Sequence, residues 1–133
     1  DARIDGVLVQ EMVQGGQEVM LGVSVDPHFG PTVLFGLGGV FVEALGDVAL
    51  RPTPLSRADA AAMLGEIRGR KILEGWRGAP AADTDAIVDA IVNLAELARD
   101  HGAELRELDV NPVMVFPRGQ GLKALDALVV LDD

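Results

Sequence analysis

The position of the helical periodicity constrains this chain more than any other feature. Between Asp83 and Asp100, Ile87, Val88, Ile91, Leu94, Ala95 and Ala98 recur at three- and four-residue spacing, with acids in the first turn and His101-Gly102 at the end. That pattern predicts one long helix with a single buried face. A second helix is expected after Ser56, which stands in N-cap position three residues before Asp59, with Ala60, Ala61, Met63, Leu64 and Ile67 as its apolar stripe. β-type runs flank this helical middle at 7–13, 18–25, 32–35, 47–51, 107–116 and 122–131 and do not alternate with helices. An α+β fold follows, a mostly antiparallel sheet with two helices on one face, rather than a parallel βαβ sheet.

Gln14-Gly15-Gly16-Gln17 is turn chemistry and is expected to join the first two runs as a hairpin. Asp26-Pro27-His28-Phe29-Gly30-Pro31 is a rigid loop. A strand that starts as abruptly as residue 7 points to a chain beginning in the middle of something larger.

The 133 residues make one domain's worth of core. No apolar run approaches the ~18 residues of a membrane span, and no secretion signal stands at the start, so the expected location is the cytoplasm. Absence of cysteine excludes disulfides and thiol catalysis, and with two histidines a zinc site of His and Cys is implausible. Acids outnumber bases 21 to 11, which argues against a nucleic-acid surface. Such a chain can still bind ATP if a divalent cation or a basic group from elsewhere offsets the repulsion.

The chemistry-bearing stretch is Glu107-Leu108-Asp109-Val110-Asn111-Pro112. In a strand, Glu107, Asp109 and Asn111 share one face. If Pro117-Arg118-Gly119-Gln120 closes a hairpin, Phe116 faces Gly121 and Asn111 falls opposite Asp126. An amide and a carboxylate side by side are hard oxygen donors of the kind Mg²⁺ takes beside a nucleotide; the alternative is an ordinary solvated acidic face. Gly36-Leu37-Gly38-Gly39 reads either as an anion-binding nest of backbone N–H groups or as a turn. Arg51 is either a cation for phosphate or a surface arginine.

Taken together, Gln10-Glu11-Met12, Gln17-Glu18-Val19, Asp26 to Pro31, Phe35 to Gly39, Leu73-Glu74-Gly75-Trp76-Arg77-Gly78 and Glu107 to Pro112 resemble the ATP-grasp domain of NDP-forming acyl-CoA synthetases, relatives of the succinyl-CoA synthetase β subunit. The resemblance covers nearly the whole chain. It implies that residues 1–133 are a single domain, the second, C-terminal lobe of an ATP-grasp clamp and a fragment of a larger protein. The first lobe, with its phosphate-contacting lysine, has no counterpart here.

The implied activity is acid–CoA ligation, with phosphoryl transfer between ATP or ADP and a phosphohistidine as this lobe's share. The implied cofactors are ATP/ADP and Mg²⁺. The implied partners are the N-terminal ATP-grasp lobe and a CoA-binding, phosphohistidine-bearing domain, with neither nucleic acid nor membrane. Glu11, Met12 and Val13 would form the adenine hinge, through the Glu11 carbonyl and the Val13 N–H, and Glu18 would accept from the ribose hydroxyls. Asn111 and Asp126 would hold the metal with Asp109 beside them. Gly38, Gly39 and Glu43 would lie near the transferred phosphate, with Arg51 as a further cation. His28 and His101 are taken as structural or surface residues. Alternatives are a regulatory, non-catalytic region of a fused protein acetyltransferase and a subunit-docking module.

Overall fold

The computed structural model describes residues 3–39 and 45–132. Its six strands are β1 (Gln17–Asp26), β2 (Gly30–Leu37), β3 (Val48–Pro52), β4 (Leu105–Val115), β5 (Leu122–Ala124) and β6 (Ala127–Leu131). They form one sheet in the order β3-β2-β1-β4-β5, with β6 also paired to β4, and every pairing is antiparallel. Helices α1 (Arg57–Glu66), α2 (Arg70–Leu73) and α3 (Thr84–His101) fall between β3 and β4. Among the described residues this is the expected α+β arrangement, with the short α2 in addition to the two expected helices. A four-residue helix such as α2 is too short to leave a periodic signal.

The helices start where the sequence caps them. The Ser56 hydroxyl accepts from the Asp59 N–H at 3.2 Å while the Asp59 carboxylate accepts from the Ser56 N–H at 2.8 Å, a complete capping box. Asp83 caps α3, accepting from the Ala86 N–H at 3.3 Å, and its other oxygen accepts from the Gly121 N–H at 2.8 Å. Buried Asp47 accepts from the Arg68 and Gly69 N–H groups at 2.8 and 2.9 Å, tying the chain after α1 to the start of β3.

The apolar side chains of the sheet separate to one side. Val19, Leu21 and Val23 of β1 and Val33, Phe35 and Leu37 of β2 are at most 3% exposed and pack with the buried stripes of α1 and α3. In β4 the pairing to β1 shifts between Leu21↔Val110 and Val19↔Val113, so the stretch carries one extra residue. That shift lets Leu108, Val113 and Val115 all reach the core. Among the described residues, none of the three helices lies on the opposite side of the sheet.

Two expectations need correcting. Residues 7–13 form no strand, and Val7, Leu8, Val9 and Met12 are 84 to 89% exposed. Its β-branched, apolar composition calls for a ladder, but β1 already has β2 on one edge and β4 on the other. The sequence at Gly15 and Gly16 does turn, at φ 74° and 87°, but into β1 from an unpaired segment. The final apolar run is also two strands, β5 and β6, interrupted at Leu125-Asp126.

Candidate functional site

Side chains of residues paired across antiparallel strands share a face, so the register fixes which groups meet on the helix-free side. Glu18 of β1 pairs with Met114 of β4, and Met114 with Lys123 of β5. Gly22 pairs with Asp109, and Asp109 with Leu128 of β6. Between these rows the Asn111 N–H donates to the Asp126 carbonyl at 3.1 Å and the Leu125 N–H donates to the Pro112 carbonyl at 2.9 Å. Asn111 therefore stands beside Asp126, and the hairpin closes as counted, with the Phe116 N–H on the Gly121 carbonyl at 3.0 Å.

Asp109 is the electrostatically distinctive member of this group. Its Oδ1 is buried without a hydrogen-bond partner. Loss of water holds its carboxyl above the usual carboxylate range, and the neighbouring Glu107 and Asp126 charges push it the same way. Asn111 and Asp126 themselves are exposed. Among the described residues no three His, Cys, Asp or Glu side chains are grouped to hold a metal unaided. What the strands offer is an amide, a carboxylate and a half-buried carboxylate with a free oxygen, all hard donors, which suits a cation whose other positions belong to water and phosphate.

Glu18 lies further along the same face, folded over Gly38. The Gly38 N–H donates to the Glu18 carbonyl at 3.2 Å, and a Cβ at Gly38 would come within 2.7 Å of the Glu18 Cγ and 2.8 Å of its Oε1. Gly39 follows at φ 65°, exposed, with open space where a Cβ would be. Glu43 lies outside the described residues. Glu11 and Met12 are exposed and Val13 is half-buried, all in the unpaired segment before β1.

Arg51 is not brought to this group. It projects to the helix side of β3, where its guanidinium pairs with Glu66 of α1 and donates to the Leu50 carbonyl. That pairing keeps it charged. His28 and His101 are both exposed, one in the turn between β1 and β2, where its N–H donates to Asp26 at 2.7 Å, and one at the end of α3.

One polar residue of the open face went unnoticed in the sequence. Lys123 donates from Nζ to both carboxylate oxygens of Glu11 at 2.7 Å. The count that sets Asn111 opposite Asp126 also sets Met114, and through it Glu18, in line with Lys123. The signal was present, in a strand read only as an apolar run.

Comparison with known proteins gives the chain's family. A model described as the ATP-grasp domain matches residues 1–131. The chain is 44% identical over 131 residues to the β subunit of acetate–CoA ligase [ADP-forming] II from Pyrococcus furiosus, covering 98% of this chain and 56% of the relative. It is 49% identical over 118 residues to acetate–CoA ligase [ADP-forming] I from Archaeoglobus fulgidus, covering 89% of this chain and 17% of the relative. Among solved structures it superposes, with a TM-score of 0.86 and 43% identity, on the dinucleotide-forming acetyl-coenzyme A synthetase 1 of Ca. Korarchaeum cryptofilum in complex with coenzyme A and Mg-AMPPCP. That match covers 92% of this chain and 56% of the other. The chain thus spans about half of one curated relative and about a sixth of the other. With the family's model matched along nearly its whole length, this chain belongs to the ATP-grasp domain family.

Proposed function

We propose that this chain is the C-terminal lobe of the ATP-grasp clamp of an NDP-forming acyl-CoA synthetase, a single domain of a larger protein. Its share of the work is to hold the nucleotide and its metal while a phosphoryl group passes between ATP or ADP and a phosphohistidine. The overall reaction is acyl-CoA + ADP + phosphate ⇌ acid + CoA + ATP. The observation that carries this reading is the backbone pairing of Asn111 with Asp126, near an Asp109 oxygen that no described residue satisfies.

The donor set fits Mg²⁺, and Asn111 and Asp126 would be its ligands with Asp109 alongside. Bound there, the ion would offset the charge on the nucleotide phosphates, which an acidic chain of net charge −10 cannot do itself. Glu18 accepts from the ribose hydroxyls. The backbone of Glu11, Met12 and Val13 borders the base, and Gly38 and Gly39 let the chain approach the phosphates. An N-terminal lobe contributes the missing basic groups, and a CoA-binding domain contributes the histidine. No helix among the described residues is long and apolar enough to cross a membrane.

The test is to incubate the full-length protein with Mg²⁺ and ATP labelled at the γ position. Acid-labile, base-stable label on the protein, dischargeable by ADP, is the expected result. No protein-bound label at any metal concentration overturns the reading.

A second expectation concerns Gly38→Ala. The added Cβ collides with the Glu18 side chain, whose end can swing away, so the fold survives and the carboxylate is displaced. Nucleotide affinity should fall roughly tenfold, as expected for a lost hydrogen bond to a charged group, with the melting temperature nearly unchanged. Titration with a fluorescent nucleotide and a thermal melt check both halves.

A further inference from the structure

The segment before β1 is apolar, exposed and outside the sheet, yet one side-chain contact holds it in place. Lys123 on β5 grips both carboxylate oxygens of Glu11 at 2.7 Å, across 112 positions of sequence. Among the described residues it is the one side-chain hydrogen bond or ion pair that ties residues 3–16 to the sheet. Gln10, Glu11 and Val13 on one side and Lys123, Ala124 and Leu125 on the other then line an open cavity of about 280 Å³. Leu125 lies directly before Asp126, and Lys123 stands in the cross-strand row of Glu18. The cavity therefore adjoins the proposed metal ligand in sequence and is separated from the proposed ribose acceptor by the single strand β4.

We infer that Lys123 is a positioning residue for the base end of the nucleotide: it clamps Glu11 so that the Gln10–Val13 backbone is held against β5 before the nucleotide arrives. This rests on the nucleotide reading above and adds to it a residue and a reason for the Glu11 side chain, whose carbonyl alone was given a role. Unpaired segments lose conformational freedom when they close on a ligand, and a contact that orders them beforehand reduces that loss. Lys and Glu suit the task because both side chains keep about half or more of their surface in water, 46% and 69%, so the pair can open without stranding a buried charge. The same exposure limits its strength.

The experiment is a charge-exchange cycle in the full-length protein: K123E, E11K and the double variant. A fluorescent ADP analogue is titrated and the steady-state rate is measured at varied ATP. Each single reversal should weaken nucleotide binding about fivefold and raise KM for ATP in step. kcat at saturating nucleotide and the metal dependence should stay as in the unaltered protein. The double variant, with the pair rebuilt in reverse, should recover to within about twofold.

Single variants that bind like the unaltered protein overturn the inference. So does a double variant no better than the singles, since the two side chains then act separately. A loss that falls on kcat alone also overturns it, since that places Lys123 at the chemistry. Failure of the unaltered protein to bind the analogue at all is seen before any variant is made; it sinks the nucleotide reading and this inference with it, and is distinguishable from a flat cycle on a binding-competent protein.

Discussion

Replacing Asp126 by Ala should reduce ATP-dependent labelling of the full-length protein by about a thousandfold or more, while leaving its melting temperature within a degree or two of the unaltered protein. The two halves follow from where Asp126 sits. It is exposed in the break between β5 and β6, its Oδ1 accepting only from the adjacent Ala127 N–H at 2.8 Å, so the core has little to lose. Its proposed work is electrostatic. With Asn111 neutral, Asp126 is the exposed charge of the pair, and its loss would remove one of the two proposed ligands. Charge stabilisation by a metal in phosphoryl transfer amounts to several kcal/mol, which converts to about three orders of magnitude in rate. Asp126→Asn keeps an oxygen donor without the charge and should fall between. Labelling by Asp126→Ala within tenfold of the unaltered protein, at the same metal concentration, would exclude Asp126 as a ligand.

Asp109 is a counterpart that should behave differently. Its buried, unpartnered oxygen and raised carboxyl pKa mark a group that the fold tolerates rather than needs. A carboxylate kept desolvated between Glu107 and Asp126 is destabilising until something positive arrives. The sheet thereby carries a small built-in penalty in the absence of a cation, and the same penalty favours binding one.

Much of this candidate site is legible in the sequence, and the reason is geometric. A four-residue loop between two runs fixes a hairpin register, and the register alone decides that Asn111 meets Asp126. The helices were equally legible because Ser56 and Asp83 announce them and the apolar positions repeat at helical spacing. What escaped was everything that depends on who else competes for an edge. Val7 to Val13 has the composition of a strand, yet composition cannot say that β1 takes β4, from the far end of the chain, as its second neighbour. The placement of Arg51 depends on the same competition: alternation along β3 sends it to the helix side with Ala49, which pairs with buried Phe35, and only the sheet order says which side that is. Lys123 was hidden by its partner, since its grip on Glu11 joins two segments that only the folded chain brings together.

Asp83→Ala should be the most destabilising of the substitutions considered, lowering the melting temperature by about 10 °C at neutral pH. One carboxylate serves two elements: it caps the 18-residue α3 through Ala86 and fixes the β4–β5 turn through Gly121. Removal leaves two backbone N–H groups without their acceptor in a region only 7% exposed at Asp83 itself. These bonds to the Gly121, Ala86 and Gly119 N–H groups, chiefly that to Gly121, with Arg118 nearby, hold the carboxyl below its ordinary value of 3.8. A depressed native pKa adds stability above the unfolded-state value, and that stability is lost as pH falls through the lowered native value. The melting-temperature gap between the unaltered protein and Asp83→Asn, whose amide cannot accept at both oxygen positions and does not titrate, should therefore be constant from pH 7 to about pH 5. Below about pH 4 it should shrink, as the unfolded chain takes up the proton first, and the loss is complete once pH has fallen through the lowered native value. Thermal melts followed by circular dichroism across that range measure the gap directly. A gap that widens on acidification would mean that the carboxylate is not what joins helix to turn. The β4–β5 hairpin would then owe its register to the two strands alone.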